Sequence, residues 1–330
     1  MTTLYVTDER AFVRKNGGVL VVKLDEGSRT VPLAQVTQVV CCGDVSWSGA
    51  ALRELAEEGI GVAYVGPHGQ WVGRWEPPEG KAVLLRRAQF RAADDEAITL
   101  AIARAIVTGK LRNSRSLLMR ARRDGSLAGT DEIDAIEGLQ DRIGGATTLD
   151  QLRGLEGESA ARYFAAYGRL ISVQGFHFER RMRRPPPDPI NAMLSFGYTL
   201  LAHAVATAVH CVGFDAHVGF LHAVRYGRES LALDLQEEFR SVVVDALVAA
   251  LVHKRMIQPG DFTQDATSCR LSDAGRRTFI EQFERKLESE VVHPVLRDRV
   301  THRRAIELQA RVLAKFLTGE LPAYVSFSKR

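Results

Sequence analysis

The hydrophobic period changes near residue 80, and that change limits the chain to a two-part fold. Up to about residue 75, apolar residues fall in short or alternating runs at 3–6, 11–14, 19–24, 30–33 and 36–41, the pattern of half-buried strands. Gly17-Gly18 and Asp25-Glu26-Gly27 supply turns between them. Ser48 reads as the N-cap of a helix over 49–58 that Gly59 closes. A strand at 61–65, a turn at Gly66-Pro67-His68-Gly69 and a returning strand at 70–74 follow; His68 then lies in a hairpin loop. Pro77-Pro78-Glu79-Gly80 marks a boundary. Beyond it, apolar spacings of three and four predict helices over 83–93, 97–123, 131–143, 157–172, 190–212, 234–253, 272–290 and 295–317. Arg183-Arg184-Pro185-Pro186-Pro187-Asp188-Pro189 is a stiff connection that no helix can include. The expected fold class is α+β: a small β-rich domain over 1–80, then a larger all-α domain over 81–330.

Two domains also suit the length, because 330 residues exceed what one core usually holds. With 45% hydrophobic and 25% charged residues the balance is that of a globular protein, not a disordered one. No run of about 18 uncharged apolar residues is evident, so no membrane span is expected. The first residues enter a strand pattern without the features of a signal peptide, which points to the cytoplasm. Cys41, Cys42, Cys211 and Cys269 form no CxxC pair, so a zinc ribbon is excluded; Cys41 and Cys42 read as packing residues. The net charge of +4 is too small to imply a polyanionic partner. Its distribution says more: from Lys81 to Asp124 there are eleven basic residues against four acidic ones. That stripe, which holds Lys110, Arg112 and Arg115, suits either a phosphate-binding face or the solvated side of a long helix.

The densest polar segment runs from Gly219 to Arg240. His222 ends a short apolar run, and Asp234, Glu237 and Glu238 share a helical face at spacings of three and four. Clustered carboxylates repel unless a divalent cation or a guanidinium lies between them. The same acids also suit the first turn of a helix, with His222 a core or capping residue. A second segment, Gly154-Leu155-Glu156-Gly157, places a carboxylate between two glycines at the start of a predicted helix, where glycine permits close backbone approach. Glu156, His222 and Glu237 together would make a mixed oxygen and nitrogen site suited to Mg²⁺ or Mn²⁺. Zinc-protease, serine-nucleophile and phosphate-loop motifs are absent.

On these residues the chain resembles the CRISPR-associated integrases of the adaptation module, the "Cas-one" family. The likeness runs nearly end to end: Leu4-Tyr5-Val6-Thr7, residues 82–93, Gly109-Lys110-Leu111-Arg112-Asn113, Gly154-Leu155-Glu156-Gly157, residues 188–198 and Gly219 to Arg240. The resemblance implies Glu156, His222 and Glu237 as catalytic metal ligands for Mg²⁺ or Mn²⁺, with Asp234 as a supporting acid. It also implies a β-domain that forms the homodimer, a helical domain that carries catalysis, and assembly with a small partner, "Cas-two".

The reaction so implied joins the 3′-hydroxyl of a foreign DNA fragment to a phosphodiester at a CRISPR repeat. The site would act as a nuclease where water replaces that hydroxyl. Arg162, Arg225 and Arg228 are candidates to hold the scissile phosphate, and Arg183 and Arg184 form a basic approach to it. Arg240 could instead pair with Glu237 or Glu238, and Tyr163 suits core packing better than DNA stacking. A non-catalytic DNA-binding scaffold and a transposon-encoded integrase of the same superfamily remain open alternatives.

Overall fold

The computed structural model describes residues 2–8, 10–25, 27–66, 71–75, 82–129, 131–182 and 185–329. Two compact units make up the chain, Met1–Gly80 and Lys81–Arg330. The expected turn around His68, the proline pair at 77–78, Lys81, Arg183 and Arg184 lie outside the described residues.

The first unit contains β1 (Thr2–Val6), β2 (Phe12–Asn16), β3 (Val19–Lys23), β4 (Ser28–Pro32), β5 (Val36–Cys42), β6 (Ser46–Trp47), α1 (Gly49–Glu57), β7 (Val62–Val65) and β8 (Trp71–Trp75). One sheet has the order β1-β5-β7-β8, with β1, β5 and β7 parallel; the other has the order β4-β3-β2-β6. Strand β5 lies between two parallel neighbours and is buried almost throughout, which explains its near-continuous apolar sequence. Ser48 caps α1 by accepting from the Ala51 N–H at 3.2 Å. Val13, Leu20, Val39, Cys41, Leu55 and Val62 form the centre of the core. Cys41 packs in it, and Cys42 is buried beside it in the sequence.

The second unit is mostly helical: α2 (Val83–Asp94), α3 (Glu96–Arg123), α4 (Asp131–Ile143), α5 (Leu149–Leu170), α6 (Pro189–Val212), α7 (Ser230–Glu237), α8 (Ala246–His253), α9 (Asp273–Glu288) and α10 (His302–Leu317). Two short antiparallel pairs interrupt it, β9 (Phe262–Gln264) with β10 (Cys269–Leu271), and β11 (Glu290–Val292) with β12 (Arg299–Thr301). Three-residue strands are too short for the period to signal, and β11 and β12 displace the start of the last helix from 295 to His302.

Two further differences bear on the site. Helix α5 begins at Leu149, not 157, because Thr148 caps it and Leu152, Leu155, Ser159 and Tyr163 already line its buried face. The single helix expected over 234–253 is α7, a π-helical stretch at Arg240–Asp245, and α8. Within that wider stretch every residue from Ser241 to Asp245 is buried, which a regular amphipathic turn would not achieve.

Helix α6 is long and apolar enough to cross a membrane, with mean hydropathy 1.5 over its most apolar part, contrary to the expectation that no segment qualifies. That stretch is 67% buried inside the protein, as a core helix would be. Gly197 allows it to lie close to the π-helical stretch: a Cβ there would come 2.6 Å from Val244 and 2.9 Å from Phe279.

Candidate active site

Four side chains from four segments of the helical unit gather around the Glu237 carboxylate, which ends α7 and is buried. The Arg240 guanidinium lies 2.6 Å from Oε1. His222, in the loop before α7, brings Nε2 to 4.0 Å from the same oxygen. Lys110, on α3, holds its ammonium 2.8 Å from Oε2, off the line of a hydrogen bond, so that Oε2 is a buried oxygen without a hydrogen-bond partner. The same ammonium donates to the Glu156 carboxylate on α5. Lys110 therefore stands between the two acids. Burial raises the Glu237 pKa, but Arg240, then Lys110 and His222, outweigh it and hold the carboxyl down to about 2.

The histidine is aimed by Asp234. That fully buried carboxylate accepts the backbone N–H groups of Phe220 and Leu221 on Oδ2, at 2.6 and 3.0 Å, and that of His222 on Oδ1 at 2.9 Å. It also accepts the ring Nδ1–H of His222 at 2.7 Å. An ionised carboxylate can only accept, so Nδ1 carries a proton and Nε2 is the ring nitrogen turned to Glu237. Gly219 makes room for this: a Cβ there would lie 2.7 Å from Asp234 Oδ2.

The three acids of this segment thus serve three partners rather than one face. Asp234 takes His222, and Glu237 takes the cations. Glu238 turns to the chain's last residues, accepting from the Tyr324 hydroxyl and the Phe327 N–H, both at 2.5 Å. The expectation for Gly154 and Gly157 is corrected too. Both lie within α5, and a Cβ on either would meet nothing within 4 Å, so close approach does not explain them.

Of the expected phosphate-binding arginines, Arg225 is exposed in the loop after His222, and Arg228 is half-buried. Exposed Arg162 approaches Glu158 at 3.9 Å. Arg112 is exposed on α3, whereas Arg115 pairs with Glu137 at 2.7 Å and Lys110 with the site carboxylates. A polar cluster that the sequence did not signal backs the site. Buried Asp245 accepts from the Tyr163 and Tyr198 hydroxyls at 2.7 and 2.5 Å, and the Arg240 guanidinium lies 4.9 Å above the Tyr198 ring. Burial pushes Asp245 up to about 6, although both tyrosines oppose that rise.

Among the described residues no three His, Cys, Asp or Glu groups stand close enough to hold a metal ion as they are. The donor set still suits a hard divalent cation: an imidazole nitrogen, two carboxylates, and in Glu237 Oε2 a buried oxygen lacking a hydrogen bond. The Lys110 ammonium stands between the two acids.

The family model described as CRISPR associated protein Cas1 matches residues 4–285. The chain belongs to this Cas1 family. It is 37% identical to a CRISPR-associated exonuclease Cas4/endonuclease Cas1 fusion from Geobacter sulfurreducens, over 99% of this chain but only 60% of that protein. It is 35% identical to the CRISPR-associated endonuclease Cas1 1 of Chlorobaculum tepidum, over 99% and 98% of the two chains. Among solved structures, a Cas1 protein from Thermotoga maritima superposes with TM-score 0.87 at 25% identity, covering 100% of both chains. A casposase bound to integration product gives 0.88 at 25% identity, covering 98% of this chain and 93% of that one. A Cas6-RT-Cas1–Cas2 complex gives 0.84 at 25% identity, covering 100% of this chain and 36% of that one. Like these Cas1 relatives, the chain joins an N-terminal β-rich part to a mostly helical part.

Proposed function

We propose that the protein is a metal-dependent DNA integrase and endonuclease. It would insert foreign DNA fragments into a CRISPR array by 3′-hydroxyl transesterification. The observation that carries this is that His222 Nε2 and, through Lys110, Glu156 are both gathered at the buried Glu237 carboxylate. Those three residues would hold Mg²⁺ or Mn²⁺. When bound, such an ion lowers the pKa of an attacking hydroxyl and offsets charge at a phosphodiester in transition.

The chain's own groups supply the rest. Asp234 keeps the His222 proton on Nδ1, and Arg240 holds Glu237 in place. Arg225, Arg228 and Arg162 are the candidates to orient the phosphate, with Arg112 further along α3. No covalent enzyme intermediate is required. We assign dimerisation to the β-rich unit and catalysis to the helical one. A Cas2-type partner is assigned from the likeness to the Cas1–Cas2 complex.

The casposase likeness favours a second reading, a transposon-encoded integrase with the same chemistry. A neighbouring CRISPR array and partner gene, as against terminal inverted repeats, separates the two. For the shared chemistry the test is strand transfer with purified protein. Glu156→Ala and His222→Ala should each abolish it, and EDTA should stop it until Mn²⁺ or Mg²⁺ is restored. Full activity in both variants, or in EDTA, would eliminate the metal mechanism.

A further inference from the structure

We propose that Lys110 is an internal placeholder cation: it holds Glu156 and Glu237 together in the metal-free protein, gives way to the divalent ion, and then offers its ammonium to the DNA. This rests on the metal-dependent reading above and adds a mechanism for loading the site.

The geometry is specific. One ammonium pairs with Glu156 and lies 2.8 Å from Glu237 Oε2, the oxygen that lacks a hydrogen bond. A lysine and a divalent ion cannot both occupy that position, because like charges at van der Waals distance repel strongly where water is scarce. The side-chain exposures run from 4% at Glu237 through 15% at Lys110 to 27% at Glu156, so the pair opens to solvent on the Glu156 side. An ion entering there meets the lysine before it meets Glu237.

Only the lysine side chain can yield. Its backbone is pinned on both sides by the chain's last residues. At Gly109 a Cβ would lie 2.7 Å from the Ser326 Cβ. Asn113 donates to the Glu238 and Phe327 carbonyls at 2.7 and 3.0 Å, and accepts from the Lys329 N–H at 2.8 Å. The long flexible stem is therefore the moving part, and the point charge at its end suits a phosphate oxygen. Charge agrees with this. Lys110 and Arg240 balance Glu156 and Glu237 in the protein as it stands. Exchange of Lys110 for a divalent ion leaves a surplus positive charge and a free ammonium, and a phosphodiester backbone neutralises both.

The test uses the full chain without DNA, at pH 8, with Mn²⁺ binding followed by electron paramagnetic resonance. Lys110→Met should bind Mn²⁺ about tenfold more tightly than wild type, because a competitor for the site has been removed. Its strand transfer should nonetheless fall. Equal or weaker Mn²⁺ binding by a folded Lys110→Met protein overturns the proposal. If that variant does not fold, the wild type decides: acylation of Lys110, mapped by mass spectrometry, should rise several-fold on adding Mn²⁺. An unchanged or reduced rate overturns it. If wild-type protein binds no Mn²⁺ at all, the metal reading itself fails, an outcome distinct from both.

Discussion

Asp234 decides which nitrogen of His222 turns to Glu237. Its four accepted hydrogen bonds leave it no freedom to turn. Asp234→Asn would set an amide N–H₂ against donors that need an acceptor, and the imidazole would lose its fixed proton. The expected result is a loss of roughly 10–100-fold in metal affinity, measured by Mn²⁺ titration. Gly219→Ala should give a loss of the same kind, since its Cβ would displace the Asp234 carboxylate. Full affinity in both variants would remove Asp234 from the site. Of these residues, Glu156, His222, Glu237 and Asp234 were legible because each stands in a recognisable local run. Lys110 was legible only as one charge in a basic stripe. Sequence shows that a lysine is present but not which way its stem turns, and Glu156 lies on another helix. Glycine flanking misled for the opposite reason, since a helix tolerates an exposed glycine at a cost of only about 1 kcal/mol.

At the scale of elements, the chain's last residues form a strap against the back of the site. Phe327 stacks on Phe239 with ring centroids 4.5 Å apart, and Tyr324 donates to Glu238. Burial pushes Glu238 up to about 8, although its hydrogen bonds from Tyr324 and Phe327 oppose the rise. The folded protein therefore keeps a proton that the unfolded chain releases near 4.5. That contribution to stability is fully present below 4.5 and is lost as pH rises through about 8. Asp245 acts in the same direction lower down, its contribution fading as pH rises from 3.8 through about 6. The melting temperature should accordingly fall as pH rises from about 4 to about 8 and level off above that, with hydrogen exchange rising first at 324–329. Glu238→Gln should flatten the upper part of that slope, and an unchanged slope would place the titration elsewhere. This strap was invisible in the sequence, where the residues after α10 show no period. The long helices were legible because many turns repeat one pattern. The π-helical stretch was not, because it buries consecutive residues and so has no pattern to read.

Over the whole molecule, the question is how much of the basic stripe is available to DNA. The sequence could count charges but could not show which are already engaged. Within the helical unit, Lys110 faces carboxylates and Arg115 pairs with Glu137. Arg104 donates to the Ala146 carbonyl, and Arg86 to that of Gly213. Arg87, Arg91, Arg112, Arg120, Arg122 and Arg123 remain exposed. The stripe is thus partly structural and partly a candidate phosphate track, with its exposed portion on α2 and α3. Reversing charge at Arg115 should therefore destabilise the packing of α4 on α3 rather than act on DNA alone. Arg112→Glu should weaken DNA binding without lowering the melting temperature. For every phosphate that is no longer neutralised, the slope of log affinity against log salt should become shallower by about 0.7–0.9. Fluorescence anisotropy between low and moderate salt measures that slope directly. A normal slope in Arg112→Glu combined with Arg91→Glu would assign the exposed arginines to solvent and leave the loop at Arg225 and Arg228 as the principal DNA-binding segment.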